Sequence, residues 1–183
     1  MRMENTIDIE KKKRDWKRLQ IVAVACLVSL TVAVAWLVII PSVRAASLTR
    51  EAIDAGKGGD IKKAGALLDR AIEIKPRYFL SRFNRGQLYW TQGRNEDALK
   101  DLLVAVQIKK RDFMTWYELG KVYSELGRSD DAIASLEKAI DYGFNDIPGL
   151  NEDAGFEKIR SDARYKALWQ RWYQMKEKRG EVK

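Results

Sequence analysis

Histidine is absent from the 183 residues, and cysteine occurs once, as Cys26. Without imidazole there is no Ser-His-Asp or Cys-His machinery and no imidazole-ligated metal site. One cysteine allows neither an internal disulfide nor a thiolate cluster. No side chain set for catalysis, cofactor binding or metal ligation stands out, and the chain is not expected to be an enzyme. Neither sign of charge dominates: 34 cations face 26 anions, a net +8. Hydrophobic residues make up 46% and charged residues 33%, so composition does not make the chain disordered.

Ile21 to Ile40 is a run of twenty uncharged residues, softened only by Cys26, Ser29 and Thr31. At about 1.5 Å of rise per residue it spans roughly 30 Å, the thickness of a hydrocarbon core. Lipid offers backbone groups no partner, so such a segment must be helical. Trp36 and Pro41 suit a membrane interface, and Pro41 is expected to end the helix. Seven cations lie in residues 1–18 and three in 41–60. That asymmetry predicts a cytoplasmic N-terminus and a translocated body. A cleaved signal peptide is the rival reading, with Val43-Arg44-Ala45 as its cut site, but signal peptides have shorter apolar regions. The signal-anchor reading is preferred. Residues 1–18 are then a basic cytoplasmic tail, 19–40 the transmembrane helix and 41–183 the extracytoplasmic part.

Beyond the span a period of 34 emerges. Gly59, Gly93 and Gly127 share it, as do Ala64, Ala98 and Ala132, Leu68, Leu102 and Leu136, and Ala71, Ala105 and Ala139. Gly86 pairs with Gly120 and Tyr89 with Tyr123 at the same spacing. Each unit reads as two amphipathic helices joined by a short turn, whose glycine needs positive φ. Asp60, Asn95 and Ser129 are expected to cap the second helices. The alanines mark close helix approaches, and the leucines fill the core between units.

At these columns the chain resembles the tetratricopeptide repeat (TPR) family over about residues 45–146. The third unit carries Trp116, Leu119, Gly120, Tyr123, Gly127, Ala132, Leu136 and Ala139 in family order. The first departs from the pattern, with Ala52 and Ala55 at the usual Gly and Tyr places. The resemblance implies an all-α protein: one N-terminal transmembrane helix, then a three-repeat TPR α-solenoid (45–78, 79–112, 113–146) with C-terminal capping helices over 147–183. A solenoid needs such a cap over its apolar end. A turn at Pro148-Gly149, then Phe156, Ile159, and a helix from near Asp162 bearing Tyr165, Leu168, Trp169 and Trp172 would supply it.

The carboxylate neighbours Glu96-Asp97 and Asp130-Asp131 sit in first turns of expected helices, where the helix dipole favours negative charge. Gly56-Lys57-Gly58-Gly59 lacks the spacing of a phosphate loop and reads as a turn. Residues 41–183 hold 27 cations against 22 anions, a mixed solvated surface rather than a nucleic-acid footprint. Lys11-Lys12-Lys13-Arg14 with Lys17-Arg18 is a topology signal that also touches anionic lipid.

What remains is the concave groove that first helices line in TPR proteins. Carried over by column, its residues are Arg50 and Ile53, then Phe83, Asn84, Gln87 and Trp90, then Tyr117, Glu118 and Lys121. Some family members clamp a C-terminal carboxylate with Lys, Asn and Arg. Here only Asn84 falls on a clamp place, the others holding Thr49, Ile53, Met114 and Glu118, which argues against such a clamp. Phe83, Trp90 and Tyr117 are expected to anchor apolar side chains, with Asn84 and Gln87 pairing a peptide backbone. Trp169, Trp172 and Tyr173 form a possible second interface. The implied role is a membrane-anchored adaptor binding a peptide or partner protein, with no cofactor, nucleic acid or small-molecule substrate. The alternative is an accessory subunit built permanently into a larger membrane complex.

Overall fold

The structure, a computed structural model, describes residues 2–178, apart from the side chains of residues 2–10, 147, 148, 169 and 175. The described residues form helices and short connections, divided between two compact units, Met1–Val43 and Arg44–Lys183.

The first unit is helix α1, Arg2–Val34, continued by a π-helical turn, Ala35–Ile39. Its large apolar side chains from Leu19 to Ile39 are exposed. Among the described residues one helical stretch is long and apolar enough to cross a membrane. Pro41 does not end it, contrary to the sequence expectation: the next helix, α2, runs Ile40–Lys57 through the proline. Proline lacks an N–H, and its ring displaces the carbonyl four residues back. The π turn absorbs this just upstream, with Ile40 N–H donating to Ala35 O. The Ser42 hydroxyl also donates to Val38 O at 2.6 Å.

The second unit is a helical solenoid. Helices α3 (Ile61–Ile74), α4 (Phe79–Thr91), α5 (Asn95–Ile108), α6 (Phe113–Glu125) and α7 (Ser129–Asp141) follow α2 and pack as antiparallel pairs. The turns between partners are built alike. Gly59, Gly93 and Gly127 have φ of 84°, 69° and 72°. That allows Asp60, Arg94 and Arg128 N–H to reach back 2.9 Å to Ala55, Tyr89 and Tyr123 O. Asp60 caps α3 through its side chain, as expected. The caps of α5 and α7 lie one residue earlier than expected: Arg94 and Arg128 occupy those positions, and Asn95 and Ser129 are already helical. The 34-residue column thus pairs Asp60 with two arginines. Each arginine bonds the aspartate three residues on, Asp97 or Asp131, and covers a tyrosine ring, Tyr89 or Tyr123.

Small residues set the spacing. A Cβ on Gly86 would lie 2.8 Å from Leu102 Cγ, and one on Gly120 would lie 3.2 Å from Leu136 Cγ. Ala98, Ala105, Ala132 and Ala139 are fully buried beside Leu102 and Leu136. The array ends in α8 (Ile147–Glu152), a 3₁₀ turn (Ala154–Ile159) and α9 (Ala163–Lys178). Pro148 falls in the first turn of α8, behind an Asp146 cap, rather than in a loop. Leu150, Phe156, Ile159, Tyr165 and Leu168 bury themselves against Ile133, Leu136 and Ile140 of α7.

Candidate partner-binding groove

Helices α2, α4 and α6 lie side by side and parallel, as contacts at near-constant offset show. Thr49 and Ser81, both buried, share a 2.7 Å hydrogen bond between α2 and α4. Between α4 and α6, Gln87 Nε2 donates to Glu118 Oε1 at 2.9 Å, and Lys121 Nζ lies 3.8 Å from the Trp90 ring centre. The face these helices share has two unlike halves.

Its N-terminal half is open. A cavity of about 240 Å³ lies between α2, α3 and α4. Ala52, Ala64, Leu68 and Leu88 give it an apolar floor, and Ile53, Asn84, Gln87 and Thr91 stand around it. Ile53, Asn84 and Gln87, three of the residues expected in the groove, are therefore brought together around this cavity. Asn84 Nδ2 donates to Leu80 O of its own helix, which leaves the amide oxygen for a ligand N–H. Arg50 is exposed on α2 and does not line this cavity.

The C-terminal half is filled by the chain itself. Tyr117 donates to Asp153 Oδ2 at 2.6 Å, stacks on Phe144 at 4.8 Å and meets the edge of Phe156 at 5.3 Å. Burial, together with the Asp153 carboxylate, raises the Tyr117 phenol far above its ordinary range. Glu118 and Lys121, expected in the groove, are buried at 5% and 8% exposure. Lys121 Nζ is 3.2 Å from Glu118 Oε2 and 3.8 Å from Asp153 Oδ2. Gly155 passes so close that a Cβ there would lie 2.8 Å from Lys121 Cγ. All three α6 residues are thus engaged by the capping segment and one another rather than presented to a partner.

The expected aromatic anchors are similarly occupied. Phe83 is half-buried and stacked on Phe79 at 5.8 Å, and Trp90 is half-buried beneath Lys121. Both pack on the cluster of Ala98, Leu99, Leu102 and Leu119. Such aromatic rings bury large area wherever helices meet, and here they do so within the protein. On α9, Trp172 is half-buried against the cap core and Tyr173 is exposed, their rings 5.0 Å apart. The Trp169 side chain lies outside the described residues.

Sequence reasoning missed Ser81 and the cavity floor, because no polar signal marks an apolar depression. It also missed a buried charge cluster behind the groove. Asp101, 2% exposed, accepts from Arg82 Nη1 at 2.6 Å and Arg85 Nε at 2.6 Å. Arg85 also reaches Asp69 at 2.6 Å. Burial alone would favour its neutral form, but the two carboxylates hold it more firmly protonated than a free arginine.

Two family models, each described as tetratricopeptide repeat, match residues 49–112 and 115–142, together half of the chain. Among solved structures, the MamA RS-1 ArsTM double mutant shares 22% identity at a TM-score of 0.60, covering 75% of this chain and 76% of that one. The first TPR of Spaghetti (RPAP3), bound to the HSP90 peptide SRMEEVD, shares 19% identity at a TM-score of 0.59, covering 70% and 95%. The N-terminal domain of stress-induced protein-1 (STI-1) from C. elegans shares 14% at 0.52, covering 72% and 96%. These likenesses are of fold. No protein of curated function matches the chain.

Proposed function

The chain belongs to the tetratricopeptide repeat family, and from that premise we propose that it is a membrane-anchored adaptor. Residues 19–40 hold it in the bilayer, residues 1–18 stay in the cytoplasm, and the repeats work on the extracytoplasmic side. The seven cations before the span against three after it support that orientation. The ligand is a peptide segment of a partner protein, docked between α2 and α4.

The open apolar cavity carries this reading. Its 240 Å³ suits one aliphatic side chain, and the amides of Asn84 and Gln87 stand beside it to pair with backbone. A relative of the same fold holds the HSP90 peptide SRMEEVD. Here only Asn84 falls on a carboxylate-clamp column, the others holding Thr49, Ile53, Met114 and Glu118, so an apolar residue rather than an acidic tail is the favoured anchor.

Thr91 is exposed at the rim, and Thr91→Trp would fill the cavity while leaving the helix intact. Affinity capture from gently solubilised native membranes should recover substoichiometric partners with wild type and lose them about tenfold with Thr91→Trp. A single stoichiometric complex retained by the variant would instead identify a structural accessory subunit.

A further inference from the structure

The two ends of the solenoid carry their charge differently. At the end formed by the 57–60, 91–95 and 125–129 turns, the cap arginines are neutralised locally: Arg94 lies 2.7 Å from Asp97, and Arg128 lies 2.7 Å from Asp131. The opposite end gathers the N-termini of α2, α4 and α6 with the loops that lead into α4 and α6. It carries Arg44, Arg77, Lys109, Lys110 and Arg111, all exposed. Arg77 and Arg111 are 34 residues apart, so the repeat brings them onto the same edge. Among the described residues Arg77, Lys110 and Arg111 have no ion-pair partner, and Lys109 faces only the Phe79 ring, at 4.2 Å.

Fewer anions offset them. Asp141 is paired with Arg171, while Asp112 and Asp146, which cap helices through neutral donors, and the exposed Glu73 keep their charge. In the first turns of α4 and α6, Leu80 and Met114 also project from this end, 41% and 40% exposed. Unneutralised cations beside exposed aliphatic side chains are what a charged bilayer surface recognises.

We propose that this end is a docking edge for an anionic lipid surface. The inference rests on the membrane-span reading. The chain enters the repeat unit at Arg44, four residues after the apolar run ends at Ile40. Chain connectivity therefore keeps this end within reach of the bilayer, and tethering raises the effective concentration of headgroups around it. Phospholipid phosphates would pair with Arg77, Lys110 and Arg111, while Leu80 and Met114 enter the headgroup layer. A free acidic protein would satisfy the cations but leave the two aliphatic side chains without a use.

The test uses the full chain with Cys26→Ser and Gln107→Cys, carrying a polarity-sensitive dye beside the edge. It is reconstituted into nanodiscs of phosphatidylcholine, with or without phosphatidylglycerol. Docking predicts a blue shift and quenching by brominated lipid in the anionic discs only, reversed by high salt. Arg77→Glu with Lys110→Glu and Arg111→Glu should lower the docked fraction about tenfold or more at unchanged helix content. Equal signals in both lipid compositions for the unmutated edge would overturn the proposal. Alkaline extraction of native membranes separates the two failures. Release of the chain would overturn the span and this inference with it, whereas retention without lipid dependence would overturn the docking edge alone.

Discussion

Lys121 Nζ sits 3.8 Å from the centre of the Trp90 ring and 3.2 Å from Glu118 Oε2, so one buried ammonium serves an aromatic face on α4 and a carboxylate on its own helix. Removing it strands a charge that water cannot reach. Lys121→Met should therefore destabilise the repeat unit by about 3 kcal/mol. Adding Glu118→Gln, which keeps an acceptor for Gln87, should recover more than half of that loss. Trp90→Ala should cost about 2 kcal/mol through lost packing and cation–π contact. Urea melts in detergent followed by circular dichroism would read all three. A Trp90→Ala variant that kept full stability would show the ring to be free of the core.

Gly86 and Gly120 occupy one family column but face unequal space. The Gly86 Cβ would meet Leu102 Cγ at 2.8 Å, with Leu102 fully buried, whereas the contacts at Gly120 are 3.2–3.3 Å. Alanine gains about 1 kcal/mol of helix propensity at either site. Against it stands overpacking of about 1–3 kcal/mol, largest at Gly86. Gly86→Ala should therefore melt below Gly120→Ala, and the reverse order would mean that Leu102 moves aside more easily than Leu136.

Tyr165 ties α9 to α8, donating to Leu150 O at 2.9 Å, and burial pushes its phenol up to about 12. The folded state thus holds the neutral form past the unfolded value of about 10. The stability it supplies is complete below pH 10 and falls as pH rises from there toward 12, by about 2–3 kcal/mol in all. Denaturation at stepped alkaline pH should show that decline. Tyr165→Phe should flatten it, at about 1 kcal/mol of lost stability near neutrality.

Asp101 stands in the column that holds Ser135 in the next unit. Asp101→Ser would leave Arg82 and Arg85, at 20% and 17% side-chain exposure, without their shared carboxylate. A loss of about 2–3 kcal/mol is expected, less than for a fully buried pair because Arg85 keeps Asp69. Equal melting of variant and wild type would reduce the cluster to a surface ornament.

The periodicity of 34 carried the helix pairs because every unit repeats the same local problem: a glycine turn, a small-residue contact, a leucine core. Expectations failed where residue type was followed against the period, or where a neighbour outside the period decides. Asn95 and Ser129 looked like caps by residue type, yet the register set by Gly93 and Gly127 puts arginines there. Pro41 looked like a stop because sequence does not announce a π turn upstream. Tyr117, Glu118 and Lys121 were expected to face the groove from their columns alone. That Asp153 and Gly155 would cover them was not, since a capping segment with no periodic partner leaves its destination unmarked.

Arrays of this kind lengthen by duplicating a unit, and the cap restricts where a copy could enter. Asp153 recognises a tyrosine and a lysine at two columns of α6, and Gly155 needs the lysine stem beside it. The same columns hold Phe83 and Gln87 in the second unit and Thr49 and Ile53 in the first. A copy of either placed after residue 146 would offer the cap neither the phenol nor the ammonium. A unit directly ahead of this cap must therefore carry both side chains, as only the third of the three does here.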